Sequence, residues 1–434
     1  MPHARPPLPS PPPSSAVLLG LALALCAVIV ALVIRHEAGA EGFLSGVGLA
    51  TLPLPFIALV FTRLDAVAPK PRGTLAFAFA WGACAATFLT LIANGVLLRW
   101  LTGASATVAP AHDDMLYLTV GAPLVEEAGK AAVVVALFRY RPLAFHGVLA
   151  GLVTAGVSAT GFAFTENVLY LGSAVTQDRL AGTTGGPDSA AVVTFFVRIL
   201  VAPFAHPVFT ALTGAAIGLA STLPAGDRSR WRLGVPLAGF AAAFGLHAVW
   251  NASTALSFFG FAGVYTLVML PVFALLSRLA VRERRRQLRT VRRTLPLYEE
   301  AGWLRAGEAA ALGSMRERAR KRRAARRRAG AAGARAVAAY QTAAAELALL
   351  RERADRGTAG DTFPAAERAL LDRLWLLGDR GGRGPRPEDG GAGGRVSAAR
   401  SGGRPSAGRA RVSTAPPRGA VAPAGRSRPG RRAR

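Results

Sequence analysis

Eight stretches of this 434-residue chain are apolar over the length a bilayer demands: residues 16–34, 43–62, 74–98, 115–138, 147–170, 191–221, 233–255 and 258–280. In hydrocarbon every backbone N–H and C=O must be satisfied within the protein, so spanning segments are helices of about 20 mostly apolar residues or strands of a closed barrel. Continuous runs of this length fit the helix. The expected fold is therefore all-α: a polytopic membrane bundle of about eight transmembrane helices with a basic, partly disordered cytoplasmic tail. The sixth run is long and holds Pro203 and Pro207, so a kink or tilt is expected there. A short turn near Gly260 is expected between the last two runs.

Charge divides the chain in the same way. Residues 1–280 carry 15 Lys+Arg against 11 Asp+Glu, and residues 281–434 carry 37 against 14. The formal net charge of +27 thus belongs mostly to the tail. The tail shows no base-reading motif, which argues against nucleic acid and for anionic headgroups as its partner. With the N-terminus in the cytoplasm, Arg63, Lys70, Arg72, Arg139, Arg141, Arg228, Arg230 and Arg232 fall in cytoplasmic loops. Arg35, Arg99 and Arg179 fall opposite. Every internal loop then obeys the positive-inside rule, and an even number of spans returns the Arg-rich C-terminus to the cytoplasm.

Four regions follow. Residues 1–15 are Pro-rich and read as disordered. Residues 16–280 form the membrane core, whose first run is too long for a signal-peptide core and reads as a retained span. Residues 281–377 read as a basic helical cytoplasmic region. It passes at about Ala329–Ala331 into an Ala/Leu-rich stretch that ends in an amphipathic segment, Leu370–Leu377. Residues 378–434 are Gly/Arg/Pro-rich and read as disordered. Cys26 and Cys84 lie inside apolar runs and read as small buried hydrophobes.

Ionisable residues inside spans cost several kcal/mol unless they are paired or wetted, and this core has them in four consecutive runs. The fourth holds Glu126, Glu127 and Lys130; the lysine stands at i,i+4 and i,i+3 from the two acids, so one pair is explained and the second carboxylate needs another partner. The fifth holds Glu166 on a face with Phe162 and Tyr170, expected near the span's non-cytoplasmic end. The sixth holds Arg198 and His206, with Arg198 placed to snorkel or to pair with Glu166. The seventh holds His247 and Asn251 at i,i+4. Each group alone is explained by an ion pair or an interhelical hydrogen bond. Together, at converging depth, they make a hydrolytic constellation.

The motifs Glu126-Glu127-x-x-Lys130, Phe162-x-x-x-Glu166-Asn167, His206 and His247-x-x-Trp250-Asn251 resemble those of the PrsW family. These are intramembrane proteases of bacterial plasma membranes, distantly similar to CAAX-processing and bacteriocin-immunity membrane proteases. The resemblance covers roughly 115–255. It implies cleavage of membrane-associated proteins, an anti-sigma factor among them, in a regulated cascade. It also implies that Glu126, Glu127, Glu166, His206, His247 and Asn251 form the catalytic set. Glu166 departs from the distant relatives, which carry a histidine there.

Two chemistries remain open from the residues. In one, Glu126 or Glu127 activates water, His247 and Asn251 donate to the oxyanion, and His206 orients the water. In the other, His206, His247 and a glutamate hold Zn²⁺ while the other glutamate is the base. Two readings outside proteolysis also account for the residues. One is an ion or proton pathway built from the same Glu and His groups. The other is a scaffold whose role lies in the basic tail.

Overall fold

The computed structural model describes residues 13–104, 116–140, 145, 147–186, 188–223, 229–360 and 362–378. All of them fall in one compact unit, and every regular element among them is helical. The disordered segments expected at 1–15 and 378–434 lie outside the described residues, apart from Pro13–Ser15 and Gly378, which end helices.

The first helix, α1 (Pro13–Thr51), breaks at Gly39, whose φ of 70° suits a residue without Cβ. It is followed by α2 (Leu54–Leu64), and by α3 (Arg72–Ala80), which runs through a π-helical turn (Trp81–Ala86) into α4 (Thr87–Ala104). A second π turn (Tyr117–Gly121) leads into α5 (Ala122–Tyr140), and then comes the central helix α6 (Gly147–Ala181). Next, α7 (Ala190–Phe195) and a π turn (Phe196–Val201) end at a break before α8 (Ala205–Ala220). The core closes with α9 (Ser229–Ser253) and with α10 (Phe258–Val264), which continues through a π turn (Tyr265–Met269) into α11 (Leu270–Glu300). The turn between the last two expected spans lies at residues 254–257, and Gly260 sits inside α10, where its N–H is capped by Ser257 Oγ.

Among the described residues six helices are long and apolar enough to cross a membrane: Val17–Leu64, Arg72–Val96, Gly147–Ala181, Ala190–Ala220, Trp231–Ser253 and Phe258–Glu300. The chain is a multi-pass membrane protein. Two differences from the expected eight have physical causes. The first two apolar runs fall within one continuous stretch bent at Gly39. The run around α5 carries Glu126, Glu127 and Lys130, which spoil its apolar character. Leucines 18, 21, 25 and 32 of α1, with Phe258, Phe259 and Leu267, stand exposed. An apolar surface this extensive suits acyl chains rather than water.

The core is built around α6, whose residues are small enough for close helix packing. A methyl group on Gly151 would stand 1.9 Å from the Gly214 carbonyl oxygen, and one on Gly218 would stand 2.5 Å from that of Gly147. Gly147/Gly151 and Gly214/Gly218 therefore form two facing small-xxx-small seams that bring α6 and α8 to backbone contact.

Residues 281–378 fold into helices of their own. Helix α11 continues unbroken from the last apolar stretch, and α12 (Glu308–Leu312), α13 (Met315–Asp355) and α14 (Phe363–Gly378) pack beside it. Helix α13 kinks at Ala329–Gly330, where Gly330 has φ 63°. Tyr298, Trp303, Leu347 and Leu374 form a buried apolar centre. The expected amphipathic segment spends its apolar face there: Trp375 stacks edge-on to Trp303 at 6.1 Å. Arg318, 1% exposed, donates to the carbonyls of Val67 (2.8 Å) and Gln341 (3.1 Å). Burial, with Arg322 nearby, lowers its pKa to about 10, so it stays a cation at neutral pH. The loop it grips is closed by Lys70, which bonds the Asp65 carboxylate through Nζ (2.9 Å) and through its backbone N–H (2.7 Å).

Candidate active site

Four helices bring the ionisable residues together. Helix α5 supplies Glu126, Glu127 and Lys130. It is held in register by Trp81 Nε1, which donates to the Gly129 carbonyl (3.0 Å), and by Ser158 Oγ, which donates to that of Lys130 (3.0 Å). Helix α6 supplies Glu166. That helix continues to Ala181, so Glu166 lies near its middle rather than at a span end. The chain breaks at Ala202 (φ −123°, ψ 41°) and Phe204 before α8 begins. Pro207 is accommodated in the first turn of α8, where its missing N–H leaves no bond unmade. His206 stands beside it, at the mouth of the break. Helix α9 supplies His247.

The ammonium of Lys130 is fully buried at the centre. Its Nζ lies 3.1 Å from Glu126 Oε2, 2.9 Å from Glu127 Oε1 and 3.0 Å from His206 Nδ1. The Phe162 ring stands 4.1 Å from it, face-on to the cation. Glu127 has no exposed surface. His247 Nδ1 approaches its Oε1 at 3.1 Å, and Thr210 Oγ1 donates to its Oε2 at 2.8 Å. His206 Nε2 lies 2.6 Å from Glu166 Oε2, within hydrogen-bond reach. Arg198 Nη1 stands 3.4 Å from the same oxygen and donates to Asn167 Oδ1 at 3.2 Å. The Arg198 guanidinium also covers the Tyr170 ring at 3.6 Å.

These partners assign the tautomers, because a carboxylate accepts but does not donate. His206 carries its proton on Nε2, towards Glu166, and His247 on Nδ1, towards Glu127. The lone pairs of His206 Nδ1 and His247 Nε2 then point inward. His247 Nε2 lies 3.8 Å from Glu126 Oε2. The two rings cross at 88° with centroids 5.2 Å apart, and Phe209 stacks on His247 at 4.6 Å.

Five of the six expected residues, Glu126, Glu127, Glu166, His206 and His247, thus meet in one cluster. Asn251 stands outside it. Its amide donates to the carbonyl of Leu118 (2.9 Å), a group in the π turn ahead of Glu126. Sequence reasoning missed Thr210. Its position four residues after His206 puts it on the same face of α8, and that spacing was the available signal.

A sequence model described as PrsW family intramembrane metalloprotease matches residues 70–276. Over those residues the chain is similar to the PrsW family. The match takes in α3 to α10, the start of α11 and the whole cluster, and reaches past residues 115–255 at both ends. The PrsW assignment makes this protein a peptidase and an intramembrane protease. It removes the pathway and scaffold readings from first place, because the clustered groups now have a hydrolytic task. No curated protein and no solved structure matches the chain.

The PrsW core also has residues that could hold a metal ion. Ligand atoms of Glu126, His206 and His247, all buried, lie within 4.8 Å of one another. Donor atoms around tetrahedral zinc stand roughly 3.4 Å apart, so closure by about an ångström completes the set. The donor chemistry, two neutral imidazoles and one carboxylate, fits a catalytic metal. Each imidazole is backed by a carboxylate on its far nitrogen, the arrangement that orients metal-bound histidines.

Proposed function

We propose that this protein is a zinc-type intramembrane endopeptidase of the plasma membrane, with both termini cytoplasmic and eight crossings. Its substrates are membrane-associated proteins, with an anti-sigma factor as the class that the family resemblance points to. One observation carries the catalytic reading: ligand atoms of Glu126, His206 and His247 lie within 4.8 Å of one another, with His247 Nε2 3.8 Å from Glu126 Oε2, while Glu166 and Glu127 hold the opposite edges of the two rings.

His206, His247 and Glu126 would hold the ion. When bound, it supplies Lewis-acid polarisation and lowers the pKa of a water in its open position. The chain's own groups do the rest. No described group donates to Glu126 Oε1, which leaves that oxygen to accept the proton of the attacking water and return it to the leaving amine. Glu127 has both oxygens occupied and therefore acts through His247. Glu166 acts in the same way through His206, and Arg198 balances its charge. Asn251 acts at a distance by holding the Leu118 turn that sets the register of Glu126. The basic region follows the last crossing into the cytoplasm, where Arg278, Arg282, Arg285 and Arg289 stand exposed along one stripe of α11, suited to anionic headgroups.

The test is the metal content of the purified full chain, with peptide cleavage measured before and after chelation. One equivalent of zinc, with activity lost in chelator and restored by Zn²⁺, supports the reading. Full cleavage by metal-free protein would overturn it in favour of Glu126 acting on water alone.

A further inference from the structure

We propose that Lys130 is the resident cation of the metal site, so that uptake of a divalent ion displaces its ammonium and this exchange sets the metal affinity. The inference rests on the metal reading above. It starts from the lone pair of His206 Nδ1. An sp² ring nitrogen has one lone pair, which serves one acceptor bond or one metal bond. With the Nε2 proton facing Glu166, that lone pair now receives Lys130 Nζ at 3.0 Å. Glu126 Oε2, a second atom of the donor set, receives the same ammonium at 3.1 Å. Two of the three atoms that would bind the ion are therefore held by lysine.

Charge leads to the same exchange. Glu126, Glu127 and Glu166 are opposed by Lys130 and Arg198, which leaves the site one negative charge when both histidines are neutral. A dication added to that set overshoots to one positive charge in a low-dielectric interior. The dication also repels the ammonium directly, which favours its moving off His206 and Glu126 towards Glu127. The lysine also has a place to go. Glu127 Oε1, 2.9 Å away, lies outside the donor set, and the Phe162 face stands 4.1 Å from the ammonium. Moving off His206 and Glu126 while keeping these two partners needs only rotation about the lysine's own side-chain bonds.

The lysine's value to the protein follows from the same contacts. Two adjacent glutamates on one turn of a membrane helix would repel and resist burial. Lys130 offsets that repulsion in the metal-free protein, and so keeps the ligands folded inward.

The experiment uses full-length protein in detergent. Zn²⁺ and Co²⁺ affinities are measured by chelator competition for wild type, Lys130→Gln and Lys130→Met, with the thermal shift on adding Zn²⁺ as a second readout. Both substitutions are expected to tighten metal binding at least tenfold and to enlarge the Zn²⁺-induced shift, while lowering the melting temperature of the metal-free protein. Equal affinity, or weaker binding by both variants, overturns the proposal. Should the variants fail to fold, wild type itself decides. The chain has three lysines, Lys70, Lys130 and Lys321, so ¹⁵N-lysine spectra are simple. The Lys130 Nζ signal should move on addition of Zn²⁺ while the other two stay, and a still Lys130 signal at full metal occupancy overturns the exchange. If wild type and variants all bind no metal and still cleave, the metal reading itself falls and takes this inference with it. That result is distinct from normal binding without competition.

Discussion

Thr210 Oγ1 and Glu127 Oε2 are joined by a 2.8 Å hydrogen bond between two side chains with no exposed surface. The bond ties α8 to α5 one turn beyond His206, and it completes the partners of Glu127. Thr210→Val keeps the shape and removes the donor, which leaves a buried carboxylate oxygen unsatisfied at a cost of about 1–3 kcal/mol. The expected result is a lower melting temperature in detergent and slower cleavage, with both recovered in Thr210→Ser. A Val variant as stable and active as wild type would remove Thr210 from the site.

Glu126 and Glu127 are neighbours with different tasks, and substitution should separate them. Glu126→Gln loses a metal ligand and the proton acceptor together, and is expected to reduce cleavage about 10²–10⁴-fold even at saturating zinc. Glu127→Gln acts through His247 and is expected to weaken zinc binding about 10–100-fold, with cleavage partly restored by excess Zn²⁺. Parallel measurements of metal affinity and cleavage at saturating zinc check the split. Equal losses in both variants, with no zinc rescue, would merge the roles.

His247→Ala and His206→Ala remove one donor each. Both variants should insert and accumulate normally yet lose detectable cleavage of a model transmembrane substrate. Wild-type cleavage by both would contradict the site.

The glycine seam predicts an asymmetry among glycines. Gly151→Leu drives a side chain into the Gly214 carbonyl, 1.9 Å from the new Cβ, whereas Gly48 has open space around it. Gly151→Leu should destabilise the fold by at least about 1–3 kcal/mol and lose activity. Gly48→Ala should be silent in the same thermal melts.

Arg318 makes the helices of residues 281–378 part of the folded unit. Truncation after Gly378 should leave melting temperature and cleavage unchanged. Arg318→Ala empties two carbonyl contacts and should cost about 1–3 kcal/mol, read as a lower melting temperature and faster proteolysis of residues 281–378. Resistance of Arg318→Ala to both would show that Val67 and Arg318 meet without consequence.

Orientation is checked by chemistry from outside. A cysteine introduced as Ser401→Cys, with Cys26 and Cys84 replaced by Ala, should escape an impermeant maleimide in intact cells and react after permeabilisation. Labelling of intact cells would invert the topology.

The residues of the site were readable in the sequence because polar groups in hydrocarbon stand out one at a time, and because i,i+3 and i,i+4 spacing fixes which share a helix face. Lys130 with its two glutamates is the plainest instance. What the sequence withheld were relations across helices. Nothing local says that Thr210 rather than water completes Glu127, that Asn251 turns away to the Leu118 carbonyl, or that Arg318 reaches Val67. The position of Glu166 was misjudged for a different reason. Apolar run length ends α6 near Tyr170, but the helix continues through polar residues to Ala181 because its backbone bonds and its packing against α1 continue. The eight apolar runs and the six long apolar helices differ through the same property that marks the site, since the charged residues within α5 lower its apolar character.

The break before His206 is closed by Tyr265, whose hydroxyl donates to the freed Val201 carbonyl at 2.8 Å. A bend fastened by a side chain from another helix is a fixed corner rather than a hinge. The backbone that presents His206 is therefore anchored before any polypeptide arrives, and the burden of adapting falls on the incoming segment. A transmembrane substrate shields its amides within its own helix, so it must uncoil locally to offer one of them to this preset corner.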